Sequence, residues 1–258
     1  MTWNCEYMDN YDNIQIKGYS ASEGDCQTYF SKRVSAKIIE NDSSEQLRAH
    51  LEELETTGFD SCGLIEHMSE SAPQLKDWEI GEVIAEAALE DQHDVVFPWE
   101  TGWDKRTLKA SLPGADIVGF QSKDTIRFIF GQVKSSSEQR IPPQVVNAVQ
   151  DGLGAQMYQL AHSTQERIQL IQWLLPRTKG TPWEHAYADA LEQYIQKDYC
   201  LVGVLVSGGR EVNARDLSCI CPAIRHSPDD GDVLLLGYYL PFDKNEWAGM
   251  VPIREVTQ

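Results

Sequence analysis

Residues 114–134 decide the reading. They run Gly114-Ala115-Asp116-Ile117-Val118-Gly119-Phe120, a polar turn Gln121-Ser122-Lys123-Asp124, then Thr125-Ile126-Arg127-Phe128-Ile129-Phe130-Gly131-Gln132-Val133-Lys134. Two apolar runs flanking about four polar residues predict a β-hairpin. Asp116 opens the first run; Gln132 and Lys134 close the second. Side chains alternate faces along a strand, so Gln132 and Lys134 share one face and Val133 takes the other. A carboxylate, an amide oxygen and an ammonium thereby converge beside one sheet surface.

That combination suits metal-assisted phosphodiester hydrolysis. Magnesium takes oxygen ligands, commonly one or two carboxylates, with waters and substrate phosphate completing the octahedron. Asp116 is the expected anchor, Gln132 offers its amide oxygen, and the Val133 carbonyl is a further donor. Lys134 would orient the attacking water or stabilise charge growing on the phosphorane.

Asp, a hairpin, then acid-x-Lys is the pattern of the PD-(D/E)XK nuclease superfamily, and this stretch resembles it. Asp116 stands at the first acid and Lys134 at the lysine. Gln132 replaces the usual Glu or Asp, as it does in Mrr-like restriction nucleases of that superfamily. Phe97-Pro98-Trp99, the run from Gly114 to Phe120, and Gly131-Gln132-Val133-Lys134-Ser135-Ser136 are similar to the HamA family. HamA is the nuclease subunit of Hachiman anti-phage defence systems. The resemblance is dense over residues 78 to 145 and a matter of length and layout elsewhere.

The resemblance implies a restriction-endonuclease-like α/β core, a central mixed sheet flanked by helices, with an N-terminal extension and a helical insertion. It implies a Mg²⁺-dependent (or Mn²⁺-dependent) deoxyribonuclease controlled by a helicase subunit, HamB, which would supply DNA contacts and ATP hydrolysis. The superfamily core opens with a helix that often carries a metal-binding Glu. Glu82 is the first match to that acid here, with Glu86, one turn later, the second. On this reading the catalytic set is Asp116, Gln132, Lys134 and Glu82, and Asp116→Ala or Lys134→Ala abolishes cleavage with the fold intact. The alternative is a catalytically inactive nuclease fold serving as a binding or assembly subunit, since a neutral amide holds Mg²⁺ less well than a carboxylate.

The formal charge of −18 is unusual for a protein acting on DNA, because affinity for DNA comes mainly from cations neutralising phosphates. The charge is uneven. Residues 1–104 carry 6 Lys and Arg against 23 Asp and Glu, whereas residues 105–140 carry 7 against 3. The basic island (Lys105, Arg106, Lys109, Lys123, Arg127, Lys134 and Arg140) coincides with the candidate site. Lys105, Arg106, Lys123 and Arg140 are expected phosphate contacts, and Ser135 could donate a hydrogen bond there. The acidic remainder would repel free DNA, so substrate delivery by a partner is expected.

Six cysteines, at 5, 26, 62, 200, 219 and 221, lack zinc spacing, and buried or incidental thiols are expected. No phosphate loop of P-loop or Rossmann type occurs, which argues against an ATPase. No run approaches the roughly 18 apolar residues of a membrane span. The N-terminus shows no charged-then-apolar leader. A cytoplasmic protein is expected.

Along the chain, residues 1 to about 30 read as an irregular or short-stranded lead-in, and 33–40 as a strand. A capped helix follows over 45–54 and ends at Gly58. A second, over 75–89, carries Ile80, Val83, Ile84, Ala87 and Ala88 on its apolar face and Glu79, Glu82, Glu86 and Glu90 elsewhere. Helices are expected from 145 to 160, over 166–175 with Pro176 as its stop, and over 183–197 after Thr181-Pro182. Strands are expected over 201–207 and 233–240. The expected division is an N-terminal acidic extension, 1–70, packed on a nuclease-like domain, 71–258, the two forming one continuous globule.

Overall fold

A computed structural model describes residues 2–40, 43–58, 64, 76–98, 114–122, 124–225 and 231–252. The hairpin forms as β4 (Ile117–Ser122) and β5 (Ile126–Ser136), antiparallel, with Ile117 opposite Gly131 and Ser122 opposite Ile126. β5 continues past β4 and pairs in parallel with β6 (Cys200–Gly208), which pairs in parallel with β7 (Asp232–Leu240). A parallel step from β5 to β6 needs a crossover connection, here made of α5 (Leu153–His162), α6 (Thr164–Thr178) and α7 (Glu184–Ile195). Every residue of β6 is buried, as its unbroken apolar run requires for a strand covered on both faces.

The described residues form one seven-stranded mixed sheet, order β1-β2-β7-β6-β5-β4-β3. β2 (Ile14–Ser20) lies parallel to β7, with β1 (Asn4–Tyr11) antiparallel outside it. β3 (Val95–Val96) closes the other edge against β4. The first twenty residues therefore supply two strands of the central sheet, where an irregular or short-stranded lead-in was expected. The proposed boundary at 70 lies outside the described residues. None of the helices among the described residues is long and apolar enough to cross a membrane.

The two faces of the sheet have separate cores. Phe128 and Phe130 of β5 and Leu201 and Leu205 of β6 pack with Leu153, Met157, Leu170 and Tyr187 from α5, α6 and α7. Ile129 and Val133, with Val202, Val204 and Val206, pack with Ile80, Ile84, Ala85 and Ala88 of α4 (Asp77–His93). Even-numbered residues of β5 thus face α5–α7 and odd-numbered ones face α4.

Residues 33–40 are helical, not a strand: a π-helical turn at Phe30–Val34 leads into α2 (Ser35–Glu40), after α1 (Glu23–Tyr29). Buried Cys26, Phe30 and Val34 follow one another at four-residue steps, so the segment lays a helical stripe on the α4 core. The alternation of Val34, Ala36 and Ile38 is incidental to that stripe. Ser43–Thr56 forms α3, after which Gly58 adopts φ +92°. Pro176 lies inside α6, two residues before its end, and does not stop it.

Nor is the acidic side of α4 simply solvated. Glu86 is 2 % exposed and Glu82 9 %. The Lys37 ammonium lies 3.7 Å from Glu86 and 2.7 Å from Glu90, and 5.1 Å above the Phe97 ring. Arg33 pairs with Glu90 and Asp91. These pairs tie α2 and the π-helical turn before it to α4.

Candidate functional site

At its open end, the hairpin changes from backbone pairing to side-chain pairing. The Asp116 amide donates to the Gly131 carbonyl at 2.9 Å. One residue pair further on, the Asp116 side chain takes the place of a backbone acceptor: Oδ2 receives the Val133 amide at 2.9 Å. Gln132, 3 % exposed, donates from Nε2 to the Gly114 carbonyl. Gly114 has φ +77°, a conformation glycine adopts without steric cost. The chain can therefore turn there and present that carbonyl.

Three groups remain open. Among the described residues, Asp116 Oδ1 and Gln132 Oε1 accept no hydrogen bond, and the half-buried Lys134 makes neither an ion pair nor a hydrogen bond. Lys134 follows Gln132 by two positions on a regular stretch of β5, so both side chains leave the strand on the α5–α7 face. The structure places Asp116 and Gln132 side by side just before the start of β4, with Lys134 two positions further along the same face of β5. Two hard oxygen donors beside an ammonium can accept a divalent cation and a phosphate. Among the described residues no three His, Cys, Asp or Glu side chains are grouped to hold a metal, so any such site depends on the Gln132 amide oxygen.

Other expected site residues fall elsewhere. Glu82 sits on α4, against the face that Val133 presents, so the structure does not bring it onto the face of Gln132 and Lys134. Glu86 is held by Lys37. Ser135 also faces α4: a Cβ on Gly81 would fall 1.8 Å from its hydroxyl. Val133 contributes its amide to Asp116. Arg140 is exposed, and its carbonyl accepts from Arg210. Lys105, Arg106, Lys109 and Lys123 lie outside the described residues. Arg127 is no free cation of a basic island. It lies at the far end of β5, bonded to Gln121, Asp198 and Asp232.

One neighbour of the site escapes a reading of the sequence. Glu166, in the first turn of α6, lies beside Gly114. Ser163-Thr164-Gln165-Glu166 has the Ser-x-x-Glu form of a capping box and carries no other signal.

Cys26 and Cys200 are buried, and burial pushes both thiols up to about 12. Cys219 and Cys221 are free thiols, also raised by burial.

Fold and site together define a mixed α/β protein with a carboxylate, an amide and an ammonium at the open end of a hairpin. No protein-family profile matches the chain, and no curated protein matches it in sequence.

Proposed function

We propose that the chain is a metal-dependent nuclease that hydrolyses phosphodiester bonds in DNA. The observation that carries this is Lys134. It is an ammonium without a partner among the described residues, two positions from Gln132 on the same face of β5. Lysine is strongly hydrated and seldom kept from water without a charge to meet. A phosphate would supply that charge. The element order α4, β3, β4, β5, helices, β6 is compatible with the helix-three strands-helix-strand core of the PD-(D/E)XK superfamily, which supports the same reading.

The donor set fits a hard cation, because Asp116 Oδ1 and Gln132 Oε1 are oxygens with open lone pairs. These two residues would hold Mg²⁺ or Mn²⁺, whose chemistry is to polarise the phosphate and acidify a bound water. The chain's own part is positional. Val133 fixes the Asp116 carboxylate, Gly114 fixes the Gln132 amide, and Lys134 stabilises negative charge developing on phosphorus.

The formal charge of −18 supports control by a partner that brings DNA to the site. With the sequence resemblance, it points to a cytoplasmic defence effector of the HamA type governed by a HamB-like helicase.

The test is plasmid cleavage with Mg²⁺ or Mn²⁺, wild type beside Lys134→Ala, with and without any helicase encoded next to it. Cleavage that disappears in Lys134→Ala supports the reading, and dependence on the helicase shows how it is governed. Lys134 has no partner to lose among the described residues, so the variant should keep its stability within about 0.5 kcal/mol.

A second reading, an inactive nuclease fold used for assembly, is favoured by the neutral Gln132 and its bond to Gly114. Gln132→Glu separates the two. In a live site the substitution raises metal affinity and cleavage, and added Mg²⁺ restores the stability lost with the Gly114 bond. An inactive site shows neither response.

A further inference from the structure

The hairpin supplies only one acid to the candidate site, yet a second carboxylate stands against it. Glu166 lies three residues after Ser163, the N-cap of α6, and its amide donates to the Ser163 hydroxyl at 3.2 Å. In a closed capping box the Glu side chain would return the bond to the Ser163 amide. Here that amide donates to the Gln159 carbonyl at 2.9 Å, and the Glu166 carboxylate turns outward. Oε1 accepts from Gln159 Nε2, and Oε2 lies 4.0 Å from the place a Cβ on Gly114 would occupy.

Gly114 links Glu166 to the site. Its carbonyl accepts from Gln132 Nε2, and Asp116 follows two residues later. α6 packs on the face to which Gln132 and Lys134 point. Among the described residues no Lys or Arg forms an ion pair with Asp116 or Glu166. The neighbouring Arg167 is committed to the Leu160 and Ala161 carbonyls and to Tyr194. Gln132, more than nine-tenths buried, has its Nε2 committed to the Gly114 carbonyl, and its Oε1 accepts no hydrogen bond from the described residues.

We propose that Glu166 is the second carboxylate of this site and, with Asp116, sets its affinity for a divalent cation. The proposal rests on the metal-dependent reading above. It gives the helical crossover a direct part in the site and supplies the acid that Gln132 does not.

The test is Mn²⁺ and Mg²⁺ binding to the purified chain without DNA, by titration calorimetry and by the metal-induced rise in Tm. Glu166→Gln, whose amide oxygen can still accept from Gln159, should weaken binding by about 10- to 100-fold. Glu166→Asp, which keeps the charge, should retain more affinity than Glu166→Gln and serves if the latter folds poorly. Glu184→Gln, at the start of α7 where the carboxylate caps the Gly180 amide, should bind as wild type. Glu166→Gln binding like wild type while Asp116→Asn has lost the metal overturns the role of Glu166 and leaves the metal site standing. A wild type with no saturable binding overturns both.

Discussion

Asp116 has two roles in this structure, and two substitutions separate them. Its Oδ2 accepts the Val133 amide at 2.9 Å, on a residue 5 % exposed. A hydrogen bond to a charged acceptor contributes about 1.5–3 kcal/mol, and a buried amide left unpaired costs about 1–3 kcal/mol. Asp116→Ala removes the acceptor and should destabilise the fold by about 2–3 kcal/mol. In a domain of this size 1 kcal/mol moves Tm by roughly 2–4 °C, so Tm should drop by roughly 4–12 °C. Asp116→Asn keeps an oxygen in the same place and should cost less than about 1 kcal/mol. Both should lose metal binding and cleavage. Alanine should therefore cost stability as well as chemistry, and asparagine is the cleaner probe of chemistry. Thermal and urea unfolding of the two variants beside wild type is the assay. A wild-type Tm for Asp116→Ala would refute the structural role of the carboxylate. Equal losses in both variants would show that charge, not the hydrogen bond, stabilises this end of the sheet.

Two further outcomes follow from buried ionisable groups. Burial, with Lys17 nearby, lowers His93 from 6.5 to about 4, Asp94 opposing, so its contribution to stability is present above pH 6.5 and lost as pH falls toward 4. At about 1.4 kcal/mol per unit, wild type should lose about 2 kcal/mol more than His93→Gln between pH 7 and pH 5 in urea unfolding; parallel pH profiles would refute this. Lys37→Met leaves the buried Glu86 without that ammonium and should cost about 3 kcal/mol; a loss below about 1 kcal/mol in the same assay would show that Lys37 is dispensable to α4.

What the sequence makes legible follows the strength of local pattern. The hairpin, β6 and β7 are apolar runs with turn residues at their ends, and they form within a residue or two of where pattern places them. β1 and β2 escape because Asn4–Tyr11 is polar and largely exposed, and β2 becomes a strand through its partner β7, far away in the chain. Residues 33–40 read as extended because Val34, Ala36 and Ile38 alternate with Ser35 and Lys37, yet packing on α4 selects the helix. The acids of α4 look solvated on a helical wheel, since nothing local announces Lys37 and Arg33 opposite them. At the site, strand alternation is enough to put Gln132 and Lys134 on one face. Which face α4 covers is a matter of topology, so the place of Glu82 is not readable from spacing, and neither is the approach of Glu166 to Gly114.

The placement of β7 between β2 and β6 bears on how the chain reaches its native state. Ile14 pairs with Val233 and Ser20 with Tyr239, so the strand beside the sheet's middle joins the two ends of the described chain. Contacts this distant in sequence close late and slowly. Until Val233–Leu240 is in hand, β6 offers an unpaired, wholly apolar edge to any other strand, and β2 has β1 alone. Chains released or cut before that strand should therefore associate through β6 rather than remain monomeric.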